Sequence, residues 1–275
     1  MLQKKLTYIN LIILFFCPLY SLSNIIEEGL SYQIFNPQKK SDIGTSEILI
    51  IKVDPNFYDI NLFSSEQYNH GNLTVKQWAK EHDLIISLNA GMFQKEDYLS
   101  NVGYMKQFNY INNPYINSYQ SIAAFNPKDS TKKQFKIFDI EKYNGKVNKD
   151  KIRDIISNYN SVIQNLRLIK RSTENRWPQQ ERKWSEVALG EDENGNILLI
   201  FSHSPYTMHD FNNILIDLPI NILCAQHLEG GPEASLYLNY GNIELEYAGS
   251  YETSFWDNTN LGFWKIPNII GISKK

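Results

Sequence analysis

The chain has 275 residues, a formal net charge of −3 and 42% hydrophobic residues. A balance this close to neutral gives no broad pull on nucleic acid, so no nucleic-acid partner is expected. The two cysteines are Cys17, inside an N-terminal apolar run, and Cys224, so a chain cleaved after that run can form no internal disulfide.

The first residues carry Lys4 and Lys5, residues 6–19 are mostly apolar, and Ser21-Leu22-Ser23 is a small-residue end. That order reads as a secretory signal peptide over 1–23. The apolar run is short for a spanning helix and Pro18 interrupts it. Phe15 and Phe16 stand where a lipobox before Cys17 would need small residues. Residues 24–275 are then expected to form one exported domain, periplasmic or secreted, with no stable membrane insertion after cleavage.

Residues 47–53 form a nearly continuous apolar strand, followed by the turn Asp54-Pro55-Asn56 and the alternating Tyr58, Ile60 and Leu62. This pattern predicts a hairpin. Residues 73–82 predict a helix, with Val75, Trp78 and Ala79 on one face and Asn72 as its cap. A buried strand at 84–88 runs into Asn89-Ala90-Gly91-Met92-Phe93. The long polar stretch 94–119, rich in Asn and Tyr, reads as a lid or irregular wall over a site. Strands are expected at 121–125 and 134–138, and an amphipathic helix at 149–159 through Ile152, Ile155, Ile156 and Tyr159.

Strands at 161–169 and 185–190 flank a basic loop containing Arg171, Arg176, Arg182 and Lys183. Asn194-Gly195 is a hairpin turn leading to a buried strand at 197–201, and 209–218 is a short helix. Cys224 lies in an apolar run and is expected to pack as a small apolar residue. That strand stops at Glu229, passes through Gly230-Gly231-Pro232 and Glu233, and an alternating run resumes; a last strand lies around 264–272. Strands outnumber helices and turns often join them. The expected class is α+β, a single domain with a largely antiparallel mixed β-sheet core and a few flanking helices.

Two segments share one design: an apolar strand stops at a polar residue followed by small ones, at Asn89-Ala90-Gly91 and at Glu229-Gly230-Gly231. A strand end holds a reactive side chain rigidly, and glycines let a ligand approach the backbone. An ordinary strand-to-turn transition accounts for either pattern equally well. His203 closes a strong strand, and His227 alternates with Glu229, which allows a His–Glu pair on one face. The five histidines show no metal-ligand spacing, and no phosphate loop or dinucleotide glycine motif is present, so neither metal nor cofactor is expected.

These residues carry a resemblance. Asn89-Ala90-Gly91-Met92-Phe93 resembles the Asn-[Gly/Ala]-Gly-x-[Phe/Tyr] motif of the phosphodiester glycosidase family. Residues 228–236, Leu-Glu-Gly-Gly-Pro-Glu-Ala-Ser-Leu, resemble that family's Leu-Asp-Gly-Gly-Gly-Ser-[Ser/Ala]-Thr-Leu segment. Arg182-Lys183-Trp184-Ser185, then Ala188-Leu189-Gly190, Gly195 and 197–201, is similar to its central Arg-Thr-Ala-x-Gly stretch, and 266–271 to its closing strand. The matches span 47–272 and look closest to the secreted bacterial branch. Three positions depart: Glu229 replaces the family aspartate, Pro232 its third glycine, and Glu186 the arginine before Ala-x-Gly.

The resemblance implies a hydrolase that cleaves the anomeric C–O bond of a sugar-1-phosphate diester or phosphorylated glycan. It implies Glu229 as base or nucleophile at the anomeric centre, Glu233 as second carboxylate, and Asn89 bonding sugar hydroxyls or phosphate. Gly91, Gly230 and Gly231 would supply close backbone approach, Arg182 or Arg167 a phosphate clamp, and Ser235, His203 and His227 further contacts. Two other classes stay open: a non-catalytic glycan-binding or envelope-associated domain of the same fold, and a metal-assisted phosphodiesterase that breaks the P–O bond.

Overall fold

The computed structural model describes residues 23–143, 145–253 and 262–275. The expected signal peptide, Ser23 excepted, lies outside the described residues. In chain order the elements are β1 (Asn24–Glu27), β2 (Leu30–Phe35), β3 (Ile48–Val53), β4 (Tyr58–Ser64), α1 (Val75–Glu81) and β5 (Ile86–Asn89). Next come β6 (Met105–Gln107), β7 (Tyr110–Asn113), β8 (Ser121–Pro127), β9 (Phe135–Asp139), β10 (Glu141–Tyr143) and β11 (Lys146–Val147). Then follow α2 (Lys149–Asn158), β12 (Tyr159–Asn165), β13 (Arg167–Lys170), β14 (Glu174–Asn175), β15 (Trp184–Asp192) and β16 (Ile197–Tyr206). The chain closes with α3 (Met208–Asp217), β17 (Ile222–Gly230), a 3₁₀ turn (Gly231–Glu233), β18 (Ser235–Tyr240), β19 (Ile243–Ala248) and β20 (Asn268–Lys274).

Three large sheets result: an eight-stranded one ordered β1-β2-β3-β16-β15-β17-β13-β14, and five-stranded ones ordered β7-β6-β12-β8-β9 and β19-β18-β5-β20-β4. Every pairing among these strands is antiparallel. All three contribute to one apolar core, with Leu49, Ile51, Val187 and Leu228 from the first, Ala123, Phe125 and Ile163 from the second, and Ile86, Leu88 and Leu236 from the third.

Each sheet also carries a helix on its other face. Met208, Phe211 and Leu215 of α3 cover Ile48, Ile50, Ala188 and Ile200. Ile152 and Ile155 of α2 cover Ile122, Ala124 and Val162. Val75, Trp78 and Ala79 of α1 cover Tyr237 and Ile269. Burial on both faces explains why 48–53 reads as apolar without alternation. Among the described residues no helix is long and apolar enough to cross a membrane.

Four local expectations change. β3 and β4 do not pair: β3 lies between β2 and β16, whereas β4 pairs with β20, so the Asp54-Pro55-Asn56 turn carries the chain from one sheet to another. A turn signal reports a reversal, but not whether the chain folds back on itself or crosses the core. The stretch read as one strand over 161–169 is two, with β12 paired to β8 and β13 to β17. The cap of α1 is Thr74, whose side chain accepts from the Gln77 N–H in a reciprocal capping box. Asn72 instead accepts from Ser65 Oγ at 2.9 Å and donates to the Tyr98 carbonyl at 3.0 Å. The 94–119 stretch contains the β6–β7 hairpin within an irregular wall.

Candidate active site

The site is built at the end of β17. Opposite β15, Val187 faces Glu229 and Ala188 faces His227, so Leu228 is an extra residue in a β-bulge. Bulges re-aim side chains at strand ends. Here the inserted Leu228 is fully buried in the core, and the strand then delivers Glu229 at its rim. Gly231 opens the 3₁₀ turn at φ 69°, a left-handed conformation that favours glycine. A Cβ on Gly230 would lie 2.4 Å from Trp184 Cδ1, so that position must be bare for the indole to pack.

Asn89 ends β5 and fastens this turn. Its Nδ2 donates to the Glu233 carbonyl at 3.0 Å, and its Oδ1 accepts from the Ser235 N–H at 2.7 Å. Ser235 Oγ donates to the same Glu233 carbonyl at 3.0 Å. The two strand ends therefore converge, but Asn89 and Ser235 spend their polar atoms on backbone. They position the turn rather than face a ligand. Gly91 is buried, with Asn165 Oδ1 2.4 Å and Asn101 Oδ1 2.6 Å from where its Cβ would be, so its bareness serves packing of two carboxamides.

A cleft of about 750 Å³ opens above Glu229, Gly230 and Glu233, and its wall includes Phe93, Lys95, Tyr98, Tyr115 and Asn117, with Glu252 also on its lining. Carboxamides hold this irregular wall: Asn112 Oδ1 accepts from the Asn101 N–H at 2.7 Å, and Asn113 Nδ2 donates to the Asn101 carbonyl at 2.6 Å. Asn268 Nδ2 donates to the Leu99 carbonyl at 2.7 Å, and Gln164 Nε2 to the Tyr119 carbonyl at 2.7 Å. Buried backbone outside helices and sheets needs such partners, which accounts for the asparagine content of the segment.

The cleft is rich in carboxylates. Burial pushes the Glu229 carboxyl up to about 8; Glu233 and Glu186 push the same way, while His227 and the Gly230 N–H, 3.0 Å from Oε1, oppose it. Glu233 is also raised, first by burial and then by Glu252, against the pull of Lys95. At neutral pH Glu229 therefore carries a proton.

Behind Glu229 lies a buried pair that the alternation of His227 and Glu229 did not indicate. His227 Nδ1 is 2.7 and 2.9 Å from the two oxygens of Glu186, and Trp184 Nε1 donates to Glu186 Oε2 at 2.6 Å. The partner of His227 is thus Glu186, on the neighbouring strand, rather than Glu229. Burial works against the charge on His227, but the Glu186 carboxylate outweighs it and raises the imidazole; burial raises Glu186.

The arginines fall elsewhere than expected. Arg167 Nη1 is bound by Asp139 at 2.9 Å and Glu141 at 3.0 Å, and it lines a separate groove with Tyr119 and Trp177. The expected phosphate clamp at Arg167 is therefore not in the cleft. Arg182 reaches the cleft only through Glu252, at 2.9 Å, and lies over the Trp184 ring. His203 is not among the cleft-lining residues, and its Nδ1 is 2.8 Å from the Ala248 carbonyl. Lys95, Glu252, Tyr98, Tyr115 and Trp184 escaped the sequence reading. Trp184 stands inside the 182–185 motif, and Lys95, Tyr98 and Tyr115 inside the polar wall, but nothing local singles them out. Among the described residues no three of His, Cys, Asp and Glu are grouped to hold a metal ion.

The model of the phosphodiester glycosidase family matches residues 82–273. The chain belongs to the phosphodiester glycosidase family. Membership makes it a hydrolase of that type, and the match takes in both strand ends of the site. The fold is similar to the catalytic domain of zebrafish N-acetylglucosamine-1-phosphodiester alpha-N-acetylglucosaminidase, auto-inhibited by its pro-peptide. The TM-score is 0.65 at 16% identity, over 91% of this chain and 85% of that one. It is also similar to a hypothetical protein from Synechocystis, with a TM-score of 0.58 at 14% identity, over 90% of this chain and 62% of that one. No match was found among curated proteins.

Proposed function

We propose that this phosphodiester glycosidase cleaves the anomeric C–O bond of a sugar-1-phosphate diester in a glycan or envelope polymer, in the periplasm or outside the cell. The observation that carries this reading is Glu229: a carboxyl at a bulged strand end, on the lining of a cleft, which burial pushes up to about 8. That state suits a general acid rather than the base or nucleophile that the family resemblance suggested.

In this scheme Glu229 gives its proton to the phosphate oxygen as the C1–O bond breaks. Water adds to C1, and Glu233 serves that side, as base toward the water or as nucleophile. The products are the free sugar and a phosphate monoester. The proton on Glu229 also removes one negative charge from a cleft that must admit an anionic diester, and Lys95 supplies a positive one. The exposed rings of Tyr98 and Tyr115 on the cleft wall suit the apolar faces of sugars. The charge and apolar pattern of residues 1–23 supports export.

Glu186 in place of the family arginine favours the second reading, a glycan-binding domain without turnover. Hydrolysis of an α-N-acetylglucosamine 1-phosphodiester in ¹⁸O-labelled water separates the readings. Label in the released sugar is the expected result. Label in the phosphate means P–O cleavage and overturns the proposal. Binding without turnover, across a panel of glycan phosphodiesters, establishes the binding domain instead.

A further inference from the structure

The Glu186–His227 pair is costly to keep. Glu186 is 0% and His227 4% exposed. Removing two charges from water costs several kcal/mol per ion, and an apolar pair of similar volume is often at least as stable. Stability alone gives little reason for an ion pair here. Its location gives a better one. Glu186 stands directly opposite Gly230, the residue after Glu229, and His227 lies two residues before Glu229 across the Leu228 bulge. Trp184 completes the group: its indole occupies the space a Gly230 side chain would fill, donates to Glu186, and meets the His227 ring edge-on at 6.3 Å.

We propose that Glu186 and His227 are positioning residues for Glu229, forming a buried ion pair that fixes the bulged end of β17 and keeps an imidazolium beside Glu229. The positive ring sets the pH at which Glu229 surrenders its proton. The other charged or titratable groups around Glu229 are Glu233 on the 3₁₀ turn, Glu252, Lys95, Glu96, Tyr98 and Tyr115 on the cleft lining, Arg182 paired to Glu252, and Tyr119. Of the histidine and the carboxylates, His227 acts most strongly on Glu229, ahead of Glu233 and Glu186. In Glu186→Gln the ring loses its counter-ion and burial drives it neutral. In His227→Gln the unpaired Glu186 takes up a proton. Either change removes both charges, and the larger of the two is the one that helped Glu229 ionise.

This inference rests on the general-acid reading of Glu229, and its test needs no substrate. Carboxyl-¹³C glutamate labelling, with the Glu229 signal identified by its loss in Glu229→Gln, gives the Glu229 midpoint directly. In both Glu186→Gln and His227→Gln the midpoint is expected to rise by about one pH unit above wild type. Trp184→Phe removes one hydrogen bond but neither charge, and shifts it much less. An unchanged midpoint in the two folded charge variants overturns the proposal. Should neither variant fold, ¹⁵N spectra of the wild-type histidines decide: an imidazolium at His227 at pH 7 is expected, and a neutral ring overturns it. Failure to hydrolyse sugar phosphodiesters would leave these titrations intact, so the two readings fail separately.

Discussion

The β15–β17 strand pair buries carboxylates at both ends, and the ends treat them in opposite ways. At one end, Glu191 Oε2 accepts from the Ile137 N–H at 2.8 Å and from Arg171 Nη2. Beside it, Asp192 is bonded by Lys52 at 2.6 Å, by Asn196 Nδ2 at 2.8 Å, and by the N–H groups of Asn194 and Asn196. Burial works to raise Asp192, but Lys52 and Asn196 outweigh it and hold its carboxyl below the usual range. Cys224 is buried at the same end, and burial pushes its thiol up to about 12, so it is inert. At the other end, Glu186 has one histidine and one indole, Glu229 has a single backbone N–H, and both carboxyls are raised. Around Asp192 the partners are plentiful, and its charge stays and serves the fold. Glu186 is spent on His227 and Trp184, so it is Glu229, with its single N–H, whose proton is available for chemistry.

The largest effect expected from this contrast is on turnover. Glu229→Gln should lower kcat by about 10³-fold, as loss of a general acid does, with the fold intact by circular dichroism. The wild-type rate should fall as pH rises through about 8, where Glu229 ionises. A Glu229→Gln variant with wild-type turnover would place the chemistry elsewhere.

Glu191→Gln is the converse. It leaves Arg171 without its anion and should destabilise the fold by about 3 kcal/mol in urea titrations, with kcat within about twofold of wild type. A large loss of kcat with normal stability would erase the distinction between the ends.

The ends should also respond oppositely to pH. Asp192 is lowered by folding, so its contribution is present at neutral pH and lost as pH falls through its folded value. Glu229 is raised from 4.5 to about 8, so its contribution is present below 4.5 and lost as pH rises through about 8. Glu229→Gln should therefore stabilise the fold above pH 8 by up to about 5 kcal/mol, with no gain at acid pH, measured as Tm across the pH range.

The smallest effect is at the rim. Arg182 is 68% exposed and its pair with Glu252 is solvent-screened. Arg182→Ala should change KM by no more than about threefold. A hundredfold change would restore it as the phosphate clamp.

Much of this molecule is legible along the chain. The antiparallel character, the two outer helices at 149–158 and 208–217, the Asn194-Gly195 hairpin and the wall at 94–119 follow from local pattern. So do the two strand ends, because a glycine-rich break after an apolar run is itself a local feature. The β3–β4 link misled because a turn does not record its partner strand.

What the sequence by itself determined is where the chain stops and turns: that Asn89 closes one strand, that Glu229 stands one residue before the end of another, and that Gly230 and Gly231 leave the strand-to-turn junction bare. What only the tertiary structure decided is who meets whom. His227 finds Glu186 across 41 residues, Asn89 finds Glu233 across 144, and Arg167 is taken from the cleft by Asp139 and Glu141. Strand register makes these pairings, and register is set by the whole core. The proton on Glu229 is likewise no property of glutamate, because it depends on how much water and how many cations the folded chain leaves around it.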